Sequence, residues 1–588
     1  MGEGKVKHRN ITWIPPMIRR LLPIAAVFVA AVLGFAKEDK QPDPVPKGDT
    51  FSFSFDKSKV FPGTTRGVTV YVPKQYDGTT PACVYVNQDG LPGYVAPTFD
   101  KLIAEKSMPV TIAIGITPGV VKSANKDALP RFNRSFEYDG LGDSYAKFLL
   151  DEVFPAVEAK MAPGDRKIVL SNKGNDRAIG GGSSGAIAAF TVAWERPDAF
   201  SRVFSAIGTY VGLRGGDVYP TLIRKFEPRP IRVFLQDGSK DQNIWGGDWW
   251  MANQSMQRSL AFAGYEVKHE WGEGGHDGTH AAKLFPEATK WLWEGYPKPV
   301  KAGEGSPQLK DILIPGEEWK LIGEGYKFTE GPATNAKGEV FFNDVGNSKT
   351  YKIVDGKPVE FIADSKRGDG QRFGPDGKLY TNAAAISKIL AWDAEGKSTE
   401  FATGFKGNDL VVLNNGSIYA TDPFETPGMS KVYHVSPKGE AKVVDTGLKF
   451  ANGITVSPDQ TLLYVADSRT HWVYSYQIAA DGSLAYKQKY YHLHVHDKDD
   501  DSGADGLRAD RDGQLWVATK VGLQVCDQAG RVRVIIPTPN GKVSNLTFGG
   551  PEMDVVYATC GDKVYSRKVK VKGANAFEVP FTPKPPRL

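Results

Sequence analysis

The chain has 588 residues, 41% of them hydrophobic and 24% charged, with 64 glycines and 39 prolines. That is too long for one ordinary core and too apolar for a disordered chain, so two or more globular units rich in short strands are expected. The net charge of +5 lies almost wholly before residue 37, where Lys5, Lys7, Arg9, Arg19 and Arg20 oppose Glu3; the near-neutral remainder excludes a nucleic-acid footprint.

Behind that basic region residues 21–33 are apolar and lead into Gly34-Phe35-Ala36. A short apolar run that contains Pro23 and ends in small residues reads as an export signal over residues 1–36, not as a spanning helix of about 20 residues. Cleavage would leave a secreted or periplasmic chain with no stable membrane insertion. Residues 37–50 are charged and Pro-rich, the composition of a tether. Cys83, Cys526 and Cys560 are too few for a disulfide framework, with Cys526 and Cys560 the candidates for a single bridge.

Strand patterns recur at 51–55, 67–72, 82–86 and 110–116, and a helical pattern covers 145–159. Strands alternating with helices predict an α/β sheet, mostly parallel, whose chemistry gathers at the carboxyl ends of the strands. Gly181-x-Ser183-x-Gly185 follows the apolar step Ala178-Ile179 and opens a helix-like run, the pattern of a nucleophile elbow. Downstream, 231–236 runs into Asp237-Gly238-Ser239-Lys240-Asp241, and 265–271 runs into Gly272-Glu273-Gly274-Gly275-His276. Ser, Asp and His, each at a strand end, follow the order used by α/β-hydrolases. Ser183 is therefore the expected nucleophile and His276 its base, ahead of His280, which lies towards the next helix. Asp241 is the expected acid, ahead of Asp237, which ends its strand directly and can serve to start the turn. Trp245, Trp249 and Trp250 follow the acid loop and suit either a binding face or the core.

The stretches Arg131-Phe132-Asn133-Arg134-Ser135-Phe136-Glu137-Tyr138-Asp139, Arg177 to Gly185 and Trp271 to His276 carry a resemblance. Through them residues 50–297 resemble the enterochelin-esterase and feruloyl-esterase branch of α/β-hydrolases. The resemblance implies a domain over 51–296 that needs no cofactor and cleaves carboxylic esters, such as feruloyl or acetyl esters on carbohydrate. It also implies an oxyanion hole made by the amide of Ser184 and one from Gln88 or Asp89.

Residues 297–317 shift to Pro, Gly and charge, a linker. Beyond it, 331–342, 373–380, 410–419, 454–464, 507–516 and 546–557 each read as strand, tight turn, strand. A period of about 40 to 55 residues means propeller blades. Six copies predict a six-bladed β-propeller over 318–575, closed by residues 319–322 beside 563–565, with a tail over 576–588. Glu330, Asn408, Asn452 and Asp505 fall at one phase of the repeat, so they should converge on the central channel. Oxygen donors of this kind suit a divalent metal, Ca²⁺ first and Zn²⁺ second.

This half resembles the senescence-marker/gluconolactonase family of propellers. That implies Glu330, Asn452 and Asp505 as metal ligands, Asn408 as ligand or substrate contact, and lactone ring opening as the chemistry. Members often carry Arg just before the Asn of the second ligand turn; here the residues are Lys406-Gly407. His492, His494 and His496 alternate ahead of Asp499, Asp500 and Asp501, the spacing of either a second metal site or a solvated blade-edge loop. The whole is thus expected to be a multidomain secreted hydrolase, an α/β-hydrolase sandwich followed by a six-bladed propeller, acting on small-molecule or carbohydrate esters. The propeller would be a second enzyme or, alternatively, a non-catalytic substrate-binding module.

Overall fold

The structure, a computed structural model, describes residues 44–424 and 429–586; the expected signal segment and the first half of the tether lie outside the described residues. Among the described residues no helix is long and apolar enough to cross a membrane.

β1 (Asp49–Phe55) alternates half-buried phenylalanines with exposed Thr and Ser, the period-2 pattern of a strand covered on one face. It pairs antiparallel with β2 (Thr64–Val72). Then follow β3 (Cys83–Gln88), α1 (Val95–Ala104), β4 (Thr111–Ile116), β5 (Arg177–Gly182), α2 (Ser184–Glu195) and β6 (Arg202–Ala206). β7 (Arg232–Gly238), α3 (Trp249–Phe262), β8 (Glu266–Gly272) and α4 (Thr279–Leu292) complete the domain. The strands lie in the order β8-β7-β6-β5-β3-β4-β2, parallel from β8 to β4.

The central strands are buried on both faces, as parallel strands between helical layers must be. Alternate residues feed two cores. Tyr85, Ala178, Phe204 and Phe234 pack with Phe99 of α1 and Phe285 of α4. Val84, Ile179, Val203 and Val233 pack with Ile187 of α2 and Leu260 of α3. The helical pattern predicted over 145–159 is present as Ser144–Glu158, with a wider turn at Phe148–Val153.

The second half forms, among the described residues, six four-stranded antiparallel sheets. Five begin at Thr329, Gly368, Leu410, Ala451 and Leu507. The sixth takes Asn545–Gly549, Val555–Cys560 and Lys563–Lys568 from the end of the chain and Lys320–Glu324 from its start, with Leu321 opposite Tyr565. Innermost strands touch in cyclic order, so this shared blade closes the ring and leaves no open sheet edge at the seam.

The two halves share a core. Ile223, Phe226 and Leu260 cluster with Tyr491, Leu493, Val532 and Ile535 of the propeller, and the Glu227 amide donates to the Ile535 carbonyl at 2.9 Å. The stretch read as a linker carries a helix, Pro307–Ile312, capped by Ser306, whose Oγ accepts the Leu309 amide at 3.2 Å. Leu309 and Ile312 are buried against the fifth and sixth blades. The tail is also held: Phe577 packs on the Phe341 and Phe373 cluster, and its carbonyl accepts from Asn414. All three cysteines are buried and free.

Candidate functional site

β5 ends at Gly182 and α2 starts at Ser184, so Ser183 makes the whole turn, with φ 59° and ψ −126°. A residue with a Cβ adopts that conformation only when its surroundings force it. The flanking glycines are steric requirements. A Cβ on Gly181 would lie 2.7 Å from the Gly185 carbonyl carbon, and one on Gly185 would lie 2.9 Å from Gln88 Cβ. The serine hydroxyl is thereby held above the carboxyl end of the sheet.

Two further strand ends reach it. His276, in the loop after β8, places Nε2 2.8 Å from Ser183 Oγ and Nδ1 2.6 Å from Asp241 Oδ1. In the neutral tautomer Nδ1–H donates to Asp241 and Ser183 donates to Nε2, so the imidazole is ready to take the serine proton. Asp241 sits in the turn after β7 with its side chain buried. Burial would raise its pKa, but the bond from His276, the neighbouring Asp237 carboxyl and the Gln242 amide at 2.5 Å outweigh it, holding the carboxylate below its usual value.

Asp237, the competing acid, does not reach the histidine. It is fully buried behind Asp241 and is pushed up to about 8, first by burial and then by its neighbour Asp241. His280, the competing base, begins α4 and meets Gln236 Nε2 through Nδ1 at 3.2 Å.

The two expected oxyanion residues flank the elbow. Ser184 is the first residue of α2, where a helix amide has no acceptor of its own. Gln88 ends β3 against Gly185, and the next residue, Asp89, takes a φ of 62°. The Asp89 carboxylate receives both arms of Arg134, at 2.8 and 2.9 Å, and its amide donates to the Tyr138 hydroxyl at 3.3 Å.

Sequence reasoning passed over Thr209. From the loop after β6 its Oγ1 lies 3.3 Å from Ser183 Oγ and accepts the Trp249 indole N–H at 3.2 Å. With one lone pair engaged by Trp249, the threonine hydroxyl can aim its own proton at Ser183 Oγ. Trp249 also stands edge-on to His276, 5.8 Å between centroids. Of the three tryptophans, Trp249 is thus buried against the triad and Trp250 packs on Trp271, while Trp245 is 86% exposed at a hairpin tip.

In the propeller a polar residue stands on or just before the first strand of each blade: Glu330, Asp369, Asn408 with Asp409, Asn452, Asp505 and Asn545. Asp369 and Asn545 were not singled out from the sequence. Asn545 Nδ2 and the Gly331 amide hold Glu330 Oε2 at 2.8 and 2.7 Å, while Glu330 Oε1 is buried without a partner. Asn408 donates to Asp369 at 3.4 Å.

Burial raises the pKa of Glu330, Asp369 and Asp505; Asp409 adds repulsion at Glu330, Glu330 and Asp409 at Asp369, and all three other acids at Asp505. Arg372, paired with Asp409 at 3.1 Å, and buried Arg508 return part of the charge. Four carboxylates thus stand against two guanidiniums, and Glu330 Oε1 is an oxygen donor left open to a cation. Among the described residues no three His, Cys, Asp or Glu side chains gather as a metal site; the expected set has two carboxylates and an amide, Glu330, Asp505 and Asn452. The three alternating histidines do not gather either: His494 takes Lys225 Nζ at 2.9 Å, and His492 stacks on His471.

Comparison with known proteins divides the chain in the same place. Residues 58–292 match the family described as "Putative esterase", and residues 328–561 match the SMP-30/Gluconolactonase/LRE-like region. A gluconolactonase of Zymomonas mobilis is 24% identical over 282 residues, 42% of this chain and 79% of its own. Among solved structures, a gluconolactonase of Xanthomonas campestris is 23% identical with a TM-score of 0.41, over 45% of this chain and 93% of that one. The enterobactin esterase of Shigella flexneri is 16% identical with a TM-score of 0.32, over 42% and 61%. The chain thus joins an esterase-family domain to a gluconolactonase-like six-bladed propeller.

Proposed function

We propose that the first domain is a serine carboxylic-ester hydrolase in which Ser183 is the nucleophile, His276 the general base and acid, and Asp241 the group that orients the imidazole. The observation that carries this reading is the unbroken hydrogen-bond chain from Ser183 Oγ through His276 to Asp241, at 2.8 and 2.6 Å, on a sterically enforced elbow. His276 takes the serine proton as Oγ attacks the ester carbonyl. The Ser184 amide and one from the Gln88 turn face the developing oxyanion. His276 then protonates the leaving alcohol, and water, activated by the same imidazole, releases the acid. Trp245 and the exposed Phe132 and Phe136 fit aromatic or sugar-bearing esters, feruloyl or acetyl esters of carbohydrate among them. The N-terminal export signature supports action outside the cytoplasm.

In the propeller Glu330, Asn452 and Asp505 would hold a divalent cation, Ca²⁺ before Zn²⁺, with Asn408 facing the substrate. Such an ion, when bound, polarises a lactone carbonyl and orients water. The channel residues fix the donors: Asn545 and the Gly331 amide orient Glu330, and Asn452 is anchored by donating to Ser468 Oγ at 3.0 Å. The alternative is a non-catalytic substrate-binding module. The departure at Lys406-Gly407, where Lys406 lies with Nζ over the Phe424 ring at 4.7 Å, bears on sugar-lactone specificity.

A screen of the full chain against aryl, acetyl-sugar and feruloyl esters and against sugar lactones tests both halves. Ester cleavage that survives Ser183→Ala would remove the triad from the mechanism. Lactones left intact with every divalent ion would leave the propeller as a binding module.

A further inference from the structure

Behind the triad lies a group of buried acceptors with no donor. Asp237 Oδ2, Asp241 Oδ2 and Asn253 Oδ1 are all buried and unpartnered. The orientation of Asn253 is settled, because its Nδ2 already donates to the Gly208 and Trp249 carbonyls at 2.9 and 3.0 Å. Asp237 Oδ1 accepts the Gly238 amide at 2.7 Å. The groups facing Asp237 are therefore Asp241 from its own turn, Asn253 from α3 and, beyond Asp241, His276 from the loop after β8; Lys240 of the same turn is exposed. A second buried carboxylate beside an ionised one, held by a single backbone amide on one of its two oxygens, is strongly disfavoured. One missing proton accounts for two of the three, Asp237 Oδ2 and Asp241 Oδ2.

Resting on the serine-hydrolase reading above, we propose that Asp237 is a positioning residue that stays neutral and donates its carboxyl proton to Asp241 Oδ2, fixing the carboxylate that orients His276. Of the two open acceptors, the ionised Asp241 is the stronger, so the proton points there and not at Asn253. The rise of Asp237 to about 8 and the depression of Asp241 agree with a single proton shared on the Asp237 side. His276 then faces an acid pinned on both oxygens, Oδ1 by imidazole and the Gln242 amide, Oδ2 by Asp237. Sequence reading had set the two aspartates against each other for one role; they take different roles in series.

The test compares Asp237→Asn, Asp237→Leu and Asp241→Asn in the full chain, with an aryl ester over a range of pH and Ser183→Ala as the control. Asn keeps a neutral donor of the same shape, so Asp237→Asn should retain kcat/KM within about threefold and leave the acid limb of the profile in place. Leu removes the donor; Asp237→Leu should lower kcat about tenfold or more and move the acid limb to higher pH, because Asp241 becomes a stronger partner for the imidazolium. Difference infrared spectra of wild type against Asp237→Asn at neutral pH should contain the C=O stretch of a protonated carboxyl. The proposal is overturned if Asp237→Asn is as inactive as Asp241→Asn, if Asp237→Leu matches wild type in rate and profile, or if the wild-type protein lacks that carboxyl band. The infrared readout does not depend on the folding of the Leu variant. Ester cleavage persisting in Ser183→Ala would sink the serine reading itself, an outcome separate from the protonation state of Asp237.

Discussion

Arg567 and Glu227 are joined by two parallel hydrogen bonds, 2.9 and 2.6 Å, across the boundary between the α/β domain and the last propeller blade. The guanidinium side chain is 4% exposed and the carboxylate 25%. Together with the core formed by Phe226, Leu493 and Ile535, this pair ties the esterase sheet to the closing blade of the ring. The two folds are thus built as one body.

Removing one partner of a buried ion pair leaves the other charge stranded. Arg567→Ala should cost about 2 to 4 kcal/mol, the lower end applying because Glu227 keeps some solvent. Thermal unfolding followed by calorimetry should show wild type melting in one transition. In Arg567→Ala the transition should fall in temperature and split in two. A single unshifted transition would mean that the boundary carries no stability.

The elbow makes a sharper demand than the serine hydroxyl does. Ser183→Ala should fold normally and reduce ester turnover on the order of 10⁴-fold or more, with His276→Ala similar. Gly185→Ala, by contrast, drives a methyl to 2.9 Å from Gln88 Cβ, so it should reduce both activity and stability. Circular dichroism melts beside the rate measurements separate the two classes. A fully active Gly185→Ala protein would contradict the close approach of β3 to α2.

Thr209 offers a milder perturbation. Thr209→Val keeps the volume, removes the hydroxyl 3.3 Å from Ser183 Oγ and leaves the Trp249 indole N–H without its acceptor. Its cost should appear as a fall of about tenfold in kcat with KM little changed. A change confined to KM would assign Thr209 to substrate binding and not to the nucleophile.

What could be read in advance follows the range of the forces. The elbow was legible because its constraint is local: strand, glycine, serine, glycine, helix. The six blades were legible because a strand-turn-strand unit repeats its own letters. Thr209 was not, since the loop after β6 reaches Ser183 only through tertiary folding and no spacing rule ties the two. Asp369 and Asn545 stand at the same phase as Glu330, yet Gly368-Asp369-Gly370 and Ser544-Asn545 read as ordinary turns until the ring closes. The helix at Pro307–Ile312 hid in a Pro- and Gly-rich stretch, because burial of Leu309 and Ile312 against the blades, more than propensity, makes it fold.

The pH dependence of stability has a definite sign at the paired aspartates. Asp237 is raised to about 8 in the folded protein, whereas in the unfolded chain it titrates near 4. Between those values the folded state holds one more proton than the unfolded state, so the contribution of Asp237 to stability is full below about pH 4 and declines as pH rises towards 8. The slope contributed by one full proton is about 1.4 kcal/mol per pH unit. Asp241 works the other way below that window: its depressed pKa contributes stability that is lost only as pH falls through its folded value. Denaturant melts at a series of pH values should show the decline in wild type and a flatter curve in Asp237→Asn. Equal slopes in the two proteins would place the extra proton elsewhere.

The channel acids make the last prediction, and its readout is binding, not turnover. Without a cation, Glu330, Asp369 and Asp505 crowd one another in a narrow channel, and burial and mutual repulsion both disfavour their charged forms. Ca²⁺ added to chelator-treated protein should therefore raise the melting temperature, by an amount equivalent to about 2.7 kcal/mol at a concentration one hundred times Kd. Glu330→Gln and Asp505→Asn should each reduce that response at least tenfold in affinity, and should leave the metal-free protein no less stable, because a neutral amide replaces a carboxyl whose charged form burial and its neighbours already disfavour. Asn545→Ala should weaken binding less, since it frees Glu330 Oε2 without removing the carboxylate. Ser183-dependent ester cleavage should be the same with and without Ca²⁺ in all these proteins. A calcium response that survives Glu330→Gln and Asp505→Asn together would move the cation out of the channel.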